Sequence, residues 1–207
     1  MELPVIQAQN LALIDQEIET NRLGAAQLEI LRRIIYETGD FEYQFLLRFS
    51  EKALASGAAA LAARSTIIVD VPMVQAGIIN ELQKTFANAV YCGTETITRP
   101  QKGKTKAEWG IQTLASRYPE AIFVVGQSQS ALHGLVELIE EKDINPALII
   151  GTPATFMDAD VLKERLKDTE VPYITIDGTK GGAVAAVAIV NGLVSLAWQA
   201  YGQHINY

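Results

Sequence analysis

Six short stretches of this 207-residue chain carry side chains or backbone freedom from which a ligand site could be built. Asp70-Val-Pro-Met-Val-Gln-Ala-Gly77 places a carboxylate and a proline at what reads as a strand-to-helix turn. Asp70 there can accept backbone N–H bonds or meet a ligand, and Pro72 suits the first turn of a helix. Thr98-Arg-Pro-Gln-Lys-Gly-Lys-Thr-Lys106 packs one Arg and three Lys into nine residues of an acidic protein. Such a loop is either a solvated surface or a clamp for carboxylates. Gly126-Gln-Ser-Gln-Ser-Ala-Leu132 opens a helix, where free N–H groups can hold an anion or a carbonyl and where Ser128 or Ser130 would serve equally as an N-cap. Gly151-Thr-Pro-Ala-Thr-Phe-Met157 and Asp177-Gly-Thr-Lys-Gly-Gly-Ala183 follow two further apolar runs, and Gly181-Gly182 allows either a simple turn or a close approach of backbone to a ligand. The sixth stretch is Ile34–Ser50, where Tyr36 offers a phenol.

Other chemistries are excluded. Gly103-Lys104-Thr105 has the ending of a phosphate-binding loop, but the pattern's first glycine would fall at Thr98, so no nucleotide site of that type is expected. His133 falls inside a periodic helical run, Ala131–Ile139, and reads as a packed or satisfied helix residue; His204 falls in the C-terminal tail. No metal site is expected.

Elements must bring these stretches together. Thr66–Val71, Ala89–Cys92, Ala121–Gly126, Ala147–Gly151 and Pro172–Asp177 are short apolar runs rich in Ile and Val, separated by helical patterns. That alternation predicts an α/β fold, a three-layer α/β/α arrangement with a mainly parallel sheet of about five strands covered on both faces. In such sheets ligands bind outside the carboxyl ends of the strands, where five of the six stretches fall. The N-terminal segment reads as helical: Leu28, Leu31, Ile34 and Ile35 recur at helical spacing, with Gly39 as the C-terminal cap and Tyr36 in the last turn. Ser50 is expected to N-cap the Ala-rich helix that runs to Ala63.

Composition bounds the rest. With 49% hydrophobic and 20% charged residues and no linker-like segment, residues 1–207 read as a single domain. The net charge of −7 argues against nucleic-acid binding. Gly181–Ala200 is apolar enough to suggest a membrane span, but Asn191, Ser195 and Gln199 interrupt it and a buried core helix is the reading favoured here. A lone cysteine, Cys92, and no charged segment leading into an apolar one at the start predict a cytoplasmic protein.

The ordered set DFEY, LLRFS, DVPMV with AGI, GxPxxF and GxKGG, running from Leu28 to about Leu193, resembles the precorrin-8X methylmutase family. Members move a methyl group around the rim of a corrin precursor during cobalamin synthesis, without a metal or organic cofactor from the protein. The resemblance implies an isomerase acting on a corrinoid or tetrapyrrole, homodimeric, with its site near the subunit interface. It places Tyr36 in the column of the catalytic histidine, which protonates the macrocycle. A phenol is a weaker acid than an imidazole but still donates a hydrogen bond. Substrate contacts are implied for Arg48, Asp70 and Met73, and for Thr105 and Lys106, which stand where the family has a Thr-Arg pair. Gln127, Ser128 and Ser130 fall in the turn that reads GNAPTAL in the family, and Lys180, Gly181 and Gly182 in the turn that reads RGRKGGS. Thr179 and Ala183 depart from that second turn, and Asp158–Lys163 departs from the family's AAESK run. Because the changes at Tyr36, Gln127–Ser130, Thr179 and Ala183 gather in ligand-facing turns, a paralogue that binds a tetrapyrrole or another polycarboxylate without isomerising it is the alternative.

Overall fold

The computed structural model describes residues 5–19, 22–96, 99–157 and 159–202. Six strands form its centre: β1 (Leu47–Phe49), β2 (Ile67–Val69), β3 (Val90–Cys92), β4 (Ile122–Val125), β5 (Leu148–Gly151) and β6 (Tyr173–Ile176). They lie in the order β1-β6-β5-β4-β2-β3, all parallel except β1, which pairs antiparallel with β6 through Leu47–Ile176, Arg48–Thr175 and Phe49–Ile174. The five expected strands are present, and β1 is a sixth that the sequence reading did not separate from the helices around it.

Successive strand residues point to opposite faces, and here both faces are apolar and covered. Ile67, Val69, Ile122, Val124, Leu148 and Ile150 pack with α2 (Ala25–Thr38), α4 (Ala53–Ala62), α5 (Pro72–Gln83) and α10 (Ala183–Tyr201). Ile68, Phe123, Val125 and Ile149 pack on the other side with α7 (Lys106–Arg117), α8 (Gln129–Glu140) and α9 (Ala159–Lys167). The remaining helices are α1 (Val5–Glu17) and two short turns, α3 (Tyr43–Leu46) and α6 (Gly93–Thr96).

The apolar run after Gly181 is α10, 19 residues long and apolar enough to cross a membrane by length and composition. Its small residues instead let it lie closely against three helices, with Ala185, Ala186, Ile189, Leu193 and Ala197 at 2% exposure or less.

Of three local expectations, two hold and one does not. Gly39 does cap α2 in the left-handed conformation, its N–H bonded to Ile35 O, and Pro72 does open α5. Ser50 does not cap α4, whose cap position is Lys52. The Ser50 hydroxyl accepts the Tyr173 N–H at 2.8 Å, extending the β1–β6 pairing by one residue; a long-range sheet contact overrides a local cap.

Adjacent strands β2 and β4 are followed by helices on opposite faces, α5 and α8, and so are β5 and β6, followed by α9 and α10. Where neighbouring crossovers part in this way, a crevice opens at the carboxyl ends of the strands.

Candidate functional site

Asp70, the residue after β2, is fully buried and bonds to the turn after β4 rather than to its own. Its carboxylate accepts the N–H groups of Gly126 at 3.1 Å, Gln127 at 2.8 Å and Ser128 at 2.7 Å. The sequence expectation that Asp70 touches substrate meets a side chain whose two oxygens are both engaged by the turn after β4. Gly126 is the point where α5, α8 and α10 meet: a Cβ there would fall 2.7 Å from Val74 and 3.0 Å from Ala183. The crowding brings three helix N-termini to one spot on the rim, each a source of partial positive charge.

Ser128 N-caps α8, accepting the Ala131 N–H at 3.2 Å. Its hydroxyl also lies 3.1 Å from Ser130, which lies 2.7 Å from Thr105. Thr105 in turn caps α7 by accepting the Glu108 N–H. Thr105, Ser128 and Ser130 thus form a hydroxyl chain across the starts of two helices, with Lys106 exposed beside it and Gln127 exposed on the turn. Within the basic loop, Lys104 is directed away from this rim: it bonds to Gln112 and lies over the Trp109 ring at 5.5 Å. Thr98 lies outside the described residues, and Arg99, Lys102 and Lys106 are exposed.

The turns after β5 and β6 are bonded to each other. Gly182 donates to Thr152 O at 2.6 Å, Thr155 donates to Thr179 O at 3.2 Å, and Gly181 adopts φ +143° with its Cα against Thr152 O, where a Cβ would come within 2.2 Å. Only glycine fits that position. Lys180 reaches the loop after α2, bonding to Asp40 at 2.6 Å and to Glu42. This brace ties the helix that carries Tyr36 to the turn that carries Gly181 and Gly182.

The hydrogen bond from Lys180 holds the Asp40 carboxyl below its ordinary range, against partial desolvation, with help from the Glu42 N–H. The same bond, and that to Glu42, raises the Lys180 ammonium. A depressed carboxyl contributes stability that is present above its unfolded pKa and lost as pH falls through the folded one. A raised ammonium contributes stability that is lost as pH rises through its folded pKa. The brace therefore holds between about pH 5 and about pH 10. We predict that the melting-temperature difference between wild type and Lys180→Gln is constant from pH 6 to 9 and shrinks towards pH 3; a difference undiminished at pH 3 would refute the brace.

Tyr36 is 36% exposed, and its hydroxyl has no hydrogen-bond partner among the described residues. Met73, in the first turn of α5, is exposed, and so are Phe156 and Met157 after β5, giving the rim an apolar component beside its polar one. Arg48 is bonded within the protein. It pairs with Asp177 at 2.7 Å and donates to the carbonyls of Phe45 and Leu47, bracing the antiparallel edge. His133 is exposed on α8, 3.5 Å from Glu137, and is not packed; His204 lies outside the described residues. Sequence reasoning missed Lys163, although its place three residues before Leu166 puts it on the buried face of α9.

An open, mainly parallel sheet with its polar turns gathered at the carboxyl ends of the strands defines a small-molecule-binding α/β domain. The chain belongs to the precorrin-8X methylmutase family, whose model matches residues 5–196. That family comprises isomerases of corrin precursors. The cobalt-precorrin-8 methylmutase of Synechocystis sp. is 34% identical over 96% of this chain and 98% of its own length. The protein of the same name from Methanocaldococcus jannaschii is 33% identical over 86% of this chain and 83% of its own. The crystal structure of a precorrin-8x methyl mutase from Thermus thermophilus superposes with a TM-score of 0.85 at 31% identity, covering 95% of this chain and 97% of that one.

Proposed function

We propose that this chain is a methylmutase acting on precorrin-8X or its cobalt form, moving a methyl group from one ring carbon to its neighbour. The observation that carries the reading is the match over residues 5–196, which includes every turn at the rim. The relatives are named as methylmutases, which favours isomerisation over a paralogue that only binds.

In this reading the apolar rim around Met73, Phe156 and Met157 meets the macrocycle. Its acetate and propionate arms meet Lys106, the hydroxyls of Thr105, Ser128 and Ser130, the exposed Gln127, and the N–H groups at the starts of α8 and α10. Tyr36 supplies a phenolic O–H to a ring atom as donor in the methyl shift. A cobalt ion, where present, comes with the substrate. The protein would act in the cytoplasm as a homodimer, the second copy covering the open rim.

The test is an absorbance assay with precorrin-8X and with cobalt-precorrin-8, paired with light scattering. Conversion by a dimeric species supports the proposal. Binding without conversion would overturn the isomerase reading in favour of the paralogue, and a monomer at micromolar concentration would overturn the dimer.

A further inference from the structure

We infer that Lys163 is a positioning residue for the substrate, holding the turn between β6 and α10 in the shape that presents its peptide N–H groups; the inference rests on the ligand site proposed above. Lys163 lies on α9 and is 1% exposed. Its ammonium donates to Gly178 O at 2.8 Å and to Lys180 O at 3.2 Å. Removing an ammonium from water is costly unless its donors are met. A residue on the buried face of an amphipathic helix, beside Leu166, would pack as well with an apolar side chain. The cation therefore has a task beyond filling space, and two of its bonds go to the backbone of the turn after β6.

Neighbouring groups extend the pattern. The Thr155 N–H donates to Thr179 O at 3.2 Å, and the Tyr43 hydroxyl to Gly181 O at 3.5 Å. Four successive carbonyls, from Gly178 to Gly181, are thus each held by a donor from elsewhere in the fold. In a trans peptide the N–H points opposite to the carbonyl of the preceding residue. With the Gly178, Thr179 and Lys180 carbonyls drawn towards Lys163 and Thr155, the N–H groups of Thr179, Lys180 and Gly181 turn away from those two residues. They have no acceptor among the described residues. The turn takes this course through positive φ at Gly178 (+67°), Gly181 (+143°) and Gly182 (+107°). It leads directly into α10, whose 19 residues add the free N–H groups of a first turn. The result is a run of aligned donors suited to a carboxylate arm. Lys163 sits behind that run, touches no ligand, and fixes its direction.

The test compares Lys163→Met, Lys163→Gln and Lys163→Arg with wild type. We expect Lys163→Met to raise the KM for cobalt-precorrin-8 about tenfold or more, with kcat reduced much less. Lys163→Arg keeps the charge and the donors, so it should recover most of that loss. A role in packing alone would lower the melting temperature of Lys163→Met and leave KM unchanged well below melting, and that result overturns the inference. Amide hydrogen exchange at Thr155 and Gly182, measured without substrate, gives a separate readout. Both N–H groups bond across the two turns, and their exchange should quicken in Lys163→Gln and approach the wild-type rate in Lys163→Arg. Unchanged exchange in Lys163→Gln overturns the inference, and this measurement stands if Lys163→Met fails to fold. If wild type neither binds nor converts cobalt-precorrin-8, the functional reading fails, and the exchange result still judges whether Lys163 holds the turn.

Discussion

Tyr36→Phe should lower kcat by about 10²–10⁴-fold while leaving substrate affinity nearly unchanged, the loss ordinarily seen when a positioned proton donor is removed. The site makes this substitution unusually clean. The ring of Tyr36 stays, and its hydroxyl has no hydrogen-bond partner among the described residues, so deleting one oxygen breaks no contact that the fold uses. Any large kinetic effect is then attributable to a bond made with the substrate. Tyr36→His is the complementary variant: an imidazole holds and releases a proton near neutral pH, so turnover should rise and become sensitive to pH between about 5 and 8. The measurement is single-turnover conversion of cobalt-precorrin-8 followed by its absorbance, with affinity taken from a separate titration. Wild-type turnover by Tyr36→Phe would remove Tyr36 from the mechanism and leave the backbone N–H groups and hydroxyls of the rim as the remaining donors.

Tyr36 also shows what could be read before the fold was known. Its place in the last turn of α2, capped by Gly39, followed from local spacing, because the period of Leu28, Leu31, Ile34 and Ile35 reports one helical face and a glycine reports where it ends. Strands β2, β4 and β5 were legible for a related reason: a strand covered on both faces must be apolar throughout, and each of these is buried along its whole length. Strand β1 was not legible. Three residues carry too little alternation to separate a strand from a helix end, and Leu47–Phe49 becomes a strand only by pairing with β6, more than a hundred residues away. Ser50 failed similarly, since the Tyr173 N–H that it serves is 123 residues distant.

The candidate site divides along the same line. A turn residue whose role is local, such as Ser128 as a helix cap, was identifiable from its position before a helical run. Residues whose partner lies far along the chain could not be placed from the sequence. Arg48 lies in a motif that suggested a substrate contact, yet Asp177 holds it at the sheet edge. Lys180 was expected to contact the substrate and is found bonded to the protein's own Asp40 and Glu42. A charged side chain announces that it needs an opposite charge but not which one, and the fold supplies internal partners at high effective concentration. For Lys180 the two roles are compatible in sequence, because a ligand carboxylate arriving at the rim could exchange with the exposed Glu42 while Asp40 keeps the ammonium in place.

Asp70→Ala should destabilise the protein by about 3–6 kcal/mol, a large part of the roughly 5–15 kcal/mol that holds a domain folded. The carboxylate satisfies three N–H groups from Gly126, Gln127 and Ser128 in a fully buried place. Removing it strands those donors, each at about 1–3 kcal/mol, and the penalties fall short of a full sum because the turn can relax. Asp70→Asn distinguishes charge from shape. An amide can present its oxygen to Gln127 and Ser128, but its nitrogen then faces the Gly126 N–H, so the loss should be smaller, about 2–3 kcal/mol. Urea unfolding of the three proteins, with the slope checked for constancy, measures both values. If Asp70→Ala unfolds within about 1 kcal/mol of wild type, the carboxylate is not what holds the β4–α8 turn. Its oxygens would then be available to substrate, and the variant's defect should appear in KM. With the expected result, the two substitutions argued here separate cleanly: Asp70 would act on stability through the turn, and Tyr36 on turnover with the fold untouched.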